Sequence, residues 1–185
     1  MSQTRINLLQ AAANLLLPPT HTGARLSATL AGMAPVEIGD QHRDLVARLR
    51  PIILPWRKLT IAIDGVDNSG KSTLGRFLAW QLGMLLIETD LLLKDKGGDI
   101  DHDLVTFTRL LNSRHDLNRP AIVEGVLVLR TLEKVSVRPD FMVYVETNGR
   151  DGSEVWQGMF KAYAAKYRPR ESANFTFRWS SEHAS

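Results

Sequence analysis

The run Gly65-Val66-Asp67-Asn68-Ser69-Gly70-Lys71-Ser72, continued by Thr73, carries residue types and a spacing suited to chemistry on phosphate. It fits G-x-x-x-x-G-K-[ST], which offers a polyphosphate a row of backbone N–H groups, one ammonium and one hydroxyl. Gly65 and Gly70 let the backbone turn tightly, so that successive N–H groups face one anion. A helix opening after the loop adds unsatisfied N–H groups and a partial positive charge. Lys71 is spaced to reach the β- and γ-phosphates, and Ser72 to ligate Mg2+. Residues 65–73 are thus the expected ATP cradle, with Mg2+ as the accompanying ion.

Two carboxylates extend this set. Met84-Leu85-Leu86-Ile87-Glu88 reads as a strand that ends at Thr89-Asp90. A carboxylate just past the carboxyl end of a parallel strand sits where open α/β sheets bind ligands. Asp90 is therefore a candidate base or acceptor-binding group; the alternative is a cap on the next helix. The apolar run Ala121-Ile122-Val123 ends in Glu124-Gly125. Glu124 is placed to organise Mg2+ or to contact the acceptor, the alternative being an ion pair with an arginine. Gly125 would let the backbone approach a ligand. Lys166, Arg168, Arg170 and Arg150 are basic candidates for stabilising a transferring phosphoryl group, against the plainer reading of a solvated face.

The elements that must position these groups follow from pattern. Apolar, β-branched runs predict five parallel strands, over 59–64, 84–88, 121–124, 141–146 and 174–179. Leu74, Phe77, Leu78 and Leu82 predict a helix after the loop, and Leu104, Phe107, Leu110 and Leu111 another. Asp101, His102 and Asp103 are expected at that second helix's N-terminus rather than on a metal. Residues 94–99 form a polar, glycine-containing loop, and residues 151–166 a further helix. Before the glycine loop, helices are expected over 2–17, ended by Pro18-Pro19, and over 44–50, stopped by Pro51. The segment 51–56 is expected to pack against the sheet edge, and His21 and His42 to lie on the surface. Residues 1–57 are expected as a helical extension packed on the core, with residues 58–185 as the phosphate-binding domain. Residues 180–185 are expected as a frayed tail.

Composition narrows the class. The chain has 185 residues, a net charge of +3 and no cysteine. That length suits one domain with a proper core. The absence of cysteine excludes disulfides and thiolate metal sites, and fits a reducing cytoplasm. No apolar run approaches a membrane span. No basic stripe interleaved with aromatics argues for nucleic acid. Nothing in the composition speaks for or against an oligomer.

Ile63-Asp64-Gly65 through Thr73-Leu74 resembles the opening of P-loop nucleoside and nucleotide kinases, with Asp67 as in thymidylate kinases. Asp90, Asp101-His102, Ile122-Val123-Glu124-Gly125-Val126-Leu127, Val143-Tyr144-Val145-Glu146-Thr147 and the closing Tyr167 to Asn174 stretch are more similar to the uridine kinase and phosphoribulokinase group. The resemblance covers about residues 58–179. It implies a three-layer α/β fold with ATP on residues 65–73, Lys71 on the β/γ-phosphates and Ser72 on Mg2+. It also implies Asp90 at the acceptor hydroxyl, Glu124 near acceptor or metal, and Arg150 as a lid arginine. Between Asn112 and Pro120 there is no room for the hairpin that helps hold the base in uridine kinases. A single arginine follows the fourth strand in residues 147–152. The expected reaction is transfer of the ATP γ-phosphoryl group to a hydroxyl of a nucleoside or other small molecule. The alternatives are an ATPase switch or a non-catalytic nucleotide-binding module acting through a protein partner. A guanine-reading N-K-x-D stretch is absent.

Overall fold

Thr60-Ile61-Ala62-Ile63-Asp64 forms strand β1 (Thr60–Asp64), and every residue of it is buried. Ile61 and Ile63 enter one apolar core, while Ala62 enters a second on the other face, as the two-residue period of a strand requires. A strand buried on both faces must lie inside a sheet covered on both sides. The computed structural model, which describes residues 37–94, 100–146 and 156–179, has this arrangement. Its elements all fall within the unit Ile38–Ser185.

The other sheet strands are β2 (Leu85–Glu88), β5 (Ala121–Glu124), β6 (Phe141–Glu146) and β7 (Phe175–Arg178). Their order is β2-β5-β1-β6-β7, and every neighbouring pair is parallel. The five expected strands are all present, β5 and β6 with the expected bounds and the other three shorter by one residue at an end or at each end. A separate two-stranded ladder pairs β3 (Leu93–Lys94) with β4 (Asp101–His102).

Helices α1 (Asp40–Ile53) and α2 (Lys71–Leu82) cover one face. Leu45, Leu49 and Ile53 from α1 meet Leu74 and Leu78 from α2 over Ile61, Ile63 and Phe177. Each such fully buried leucine contributes about 1.5–3 kcal/mol. Helices α3 (Leu104–His115) and α4 (Val128–Lys134) cover the other face, where Phe107, Leu111, Val128 and Leu132 pack on Ala62 and Val123. Helix α5 (Gln157–Tyr167) and the short α6 (Pro169–Ser172) follow β6. Tyr163 of α5 joins Ile100, Val126 and Leu127 in a third small cluster.

Three expectations are corrected. Pro51 does not stop α1 but lies within its last turn, and Leu54 N–H still bonds the Arg50 carbonyl at 3.1 Å. His42 is 4% exposed rather than on the surface. It completes the buried stripe His42, Leu45, Val46, Leu49, Ile53 of α1, which has a helical period. Asp101 and His102 form β4 rather than a helix start; only Asp103 caps α3, accepting from the N–H groups of Val105 and Thr106. The expected 2–17 helix, the tail, Arg150 and most of residues 94–99 lie outside the described residues.

Candidate active site

The loop between β1 and α2 leaves the middle strand of the sheet, where the chain turns through Gly65 to Gly70. Asn68 and Gly70 adopt positive φ, +55° and +85°. The helix α2 begins at Lys71, so its free N–H groups face the loop. Lys71 is 4% exposed, and its ammonium donates to the Val66 carbonyl at 2.6 Å. Burial lowers its pKa, opposed by the charges of Asp90, Glu124, Asp64 and Asp67.

Those charges place the carboxylates around Lys71. Glu124 ends β5, in register with Ile63 of β1 and Glu88 of β2. It is fully buried, and its Oε1 accepts from the Ser72 hydroxyl at 2.9 Å. No arginine pairs with it among the described residues; Arg76 instead takes Glu88, through two bonds of 2.8 and 2.7 Å. Burial pushes the Glu124 carboxyl up to about 7; the Ser72 bond and Lys71 pull it down, while Asp90 and Glu88 push it further up. Asp90 lies in a 3-10 turn (Thr89–Leu92) directly after β2, with its side chain exposed. Its charge acts on Lys71, Glu124 and His102 alike. Lys71, Ser72, Glu124 and Asp90 are thus gathered at the carboxyl ends of β1, β2 and β5.

Four buried polar atoms in this region have no hydrogen-bond partner among the described residues: Ser69 Oγ, Glu124 Oε2, Thr89 Oγ1 and His102 Nε2. His102 is held by its other nitrogen, 3.0 Å from the Thr131 hydroxyl. Burial lowers its pKa, and Asp90 opposes that. An orphaned buried polar atom costs free energy unless something pairs with it. Ser72 with Glu124 fits Mg2+, which is usually held by one or two carboxylates with water and phosphate oxygens. No group of three or more His, Asp or Glu among the described residues would hold a metal unaided.

At Gly125 a Cβ would lie 1.9 Å from Thr89 Oγ1 and 3.2 Å from Asp90 Oδ1, so the missing side chain makes room for Thr89. Two members of the basic cluster are drawn into ion pairs. Lys166 meets Glu133 at 2.6 Å, and Arg170 meets Glu146.

Asp64 was not marked by the sequence as a working group. It is 1% exposed; its Oδ1 accepts from Gly65 N–H at 2.7 Å, and its Oδ2 from the Tyr163 hydroxyl. Burial raises its pKa to about 6, against both hydrogen bonds and Lys71. The one available signal was an acid closing an apolar strand next to the glycine loop.

The Glu124 proton gives a pH test of the site. The folded chain holds that proton up to about pH 7, whereas the ordinary value is 4.5. Its contribution to stability is therefore present at low pH and lost as pH rises from 4.5 through about 7. Glu124→Gln keeps a neutral group there, able to accept from Ser72. The melting temperature of Glu124→Gln relative to the unaltered chain is expected to climb across that window. A difference independent of pH would show that no proton is held there.

No family model matches the chain, and no curated protein does. Among solved structures the chain is similar to one described as a "possible uridine kinase" from Bacillus stearothermophilus. That likeness has a TM-score of 0.54 and 17% identity, covering 75% of this chain and 97% of that one. A shikimate kinase from Acinetobacter baumannii gives 0.41 and 19%, over 68% and 86% of the two chains. A gluconokinase from Sinorhizobium meliloti gives 0.37 and 18%, over 65% and 81%. At these identities the likeness bears on fold alone, and only the first is close enough to carry weight. With the parallel sheet and the glycine loop on its middle strand, the chain has a P-loop kinase-like fold.

Proposed function

We propose that this chain transfers the γ-phosphoryl group of ATP to a hydroxyl of a small molecule. The observation that carries the reading is the gathering of Lys71, Asp90 and Glu124 at the carboxyl ends of β1, β2 and β5 beside the glycine loop, with Glu124 accepting from Ser72. Backbone N–H groups of residues 65–73 would hold the phosphates, and Lys71 would neutralise charge on the β- and γ-oxygens. Ser72 and Glu124 would hold Mg2+, which supplies charge neutralisation when bound. The acceptor oxygen forms a bond to the γ-phosphorus as the bond to the bridging oxygen breaks, and ADP leaves. Asp90 orients the hydroxyl and takes its proton. The exposed position of Asp90, against the burial of Glu124, suits it to meet an incoming acceptor. Arg150 is assigned as the lid arginine. Residues 1–57 are assigned as a helical extension, residues 58–185 as the catalytic domain, and the cytoplasm as its place. No described helix is long and apolar enough to cross a membrane.

The test is ADP production from Mg-ATP across a panel of nucleosides, sugars and small phosphorylated metabolites. A rate that rises with one acceptor supports the reading and names the substrate class. An equal rate with every acceptor would favour an ATPase switch instead.

A further inference from the structure

The phosphate loop has a second support that no expectation included. The indole N–H of Trp179, the residue after β7, donates to the Ser69 carbonyl at 2.9 Å. The same ring lies against Gly70, where a Cβ would stand 2.4 Å from Nε1 and 2.8 Å from Cε2. Any side chain at 70 would displace the indole, and the +85° φ of Gly70 separately favours glycine. A trans, planar peptide points its C=O and N–H in opposite directions. A carbonyl of Ser69 turned to the indole therefore sends the Gly70 N–H to the other side of the loop.

The indole is itself held. Phe177 meets it edge-on with ring centroids 5.0 Å apart, and His42 of α1 does so at 5.4 Å. His42 in turn abuts Phe77 and Phe177, at 4.9 and 4.8 Å. Next to Trp179, the Gln41 amide bonds both backbone groups of Arg178, each at 2.9 Å. Both sides of the ring's backbone anchor are thus tied to α1.

We propose that Trp179 is a positioning residue of the phosphate loop. Its N–H fixes the Ser69–Gly70 peptide so that the Gly70 N–H is turned toward a bound polyphosphate, and α1 fixes the ring. This rests on the reading of residues 65–73 as an ATP site and deepens it. A loop fixed before binding loses less conformational freedom on binding.

The test removes one hydrogen. Trp179→3-benzothienylalanine keeps the fused ring and replaces N–H with sulfur; Trp179→Phe is a second, smaller variant. Mg-ATP and tripolyphosphate binding are measured by calorimetry, beside thermal melting. The expected result is a melting temperature within a few degrees of the unaltered chain, with both ligands bound about five- to tenfold more weakly, the usual worth of one hydrogen bond. A folded benzothienyl variant that binds both ligands as the unaltered chain does overturns the inference and leaves the ATP site standing. Failure of the unaltered chain to bind either ligand overturns the ATP site and the inference together. A melting temperature that collapses in both variants makes Trp179 a packing residue and overturns the inference too.

Discussion

Replacing Lys71 with alanine is expected to lower ATP turnover about 10²–10³-fold, the scale of removing one preorganised group from a transition-state site, while the chain stays folded. Lys71 supplies the only side-chain cation in residues 65–73. Its ammonium is buried and already turned to the loop, on the Val66 carbonyl. Loss of a buried cation ordinarily leaves its acidic partners exposed to one another at high cost. Here two of those partners respond by binding a proton. Asp64 sits at about 6 and Glu124 at about 7, and Lys71 holds both lower than burial alone would. Removing it raises both further, so the variant is expected to be most stable on the acid side and to melt progressively earlier above neutral pH. Turnover and melting curves at two pH values test this. Full turnover at saturating Mg-ATP would sink the assignment of the loop.

Asp90→Asn is expected to cost about 10²–10⁴-fold in phosphoryl transfer, the range attributed to a positioned general base, with ATP binding retained. Asparagine keeps the shape of the side chain but takes no proton and carries no charge. Calorimetry with Mg-ATP separates the two effects, since Asp90 lies outside the 65–73 loop, after β2. A second signature accompanies the loss. Asp90's charge is one of the causes that hold the Glu124 carboxyl up near 7. Without it Glu124 ionises at lower pH, and the pH window of stability moves down with it. Unchanged transfer in a folded Asp90→Asn chain would remove Asp90 from the mechanism.

The sheet and the loop were legible because each is written in contiguous sequence. A five-residue run such as Thr60–Asp64 carries its own burial pattern. The G-x-x-x-x-G-K-S spacing carries its own turn and helix start. Asp90 and Glu124 were legible for a related reason: the carboxyl end of a parallel strand is a place that topology alone defines. What was not legible depends on partners far apart in the chain. His42 looks like a surface residue until Phe77, Phe177 and Trp179 close around it. Asp64 gains its raised pKa from burial and its partner Tyr163 from a helix almost a hundred positions away. Pro51 misled because a proline forfeits its own bond to the preceding turn but leaves later N–H groups free to bond, as Leu54 does to Arg50. At Gly125 the glycine makes room without saying for what, and only the fold shows that Thr89 takes it.

The Gln41 amide that bonds Arg178 on both its N–H and its C=O also bears on how copies of this chain meet in solution. Among the described residues β7 is an outer strand of the sheet, and an outer strand with free backbone groups is a template on which another chain can add a strand. A side-chain amide that occupies one donor and one acceptor of that edge mimics the missing neighbour. Strand addition along β7 would first have to displace it. Concentrated samples of a Gln41→Ala chain should therefore self-associate through this edge more readily than the unaltered chain.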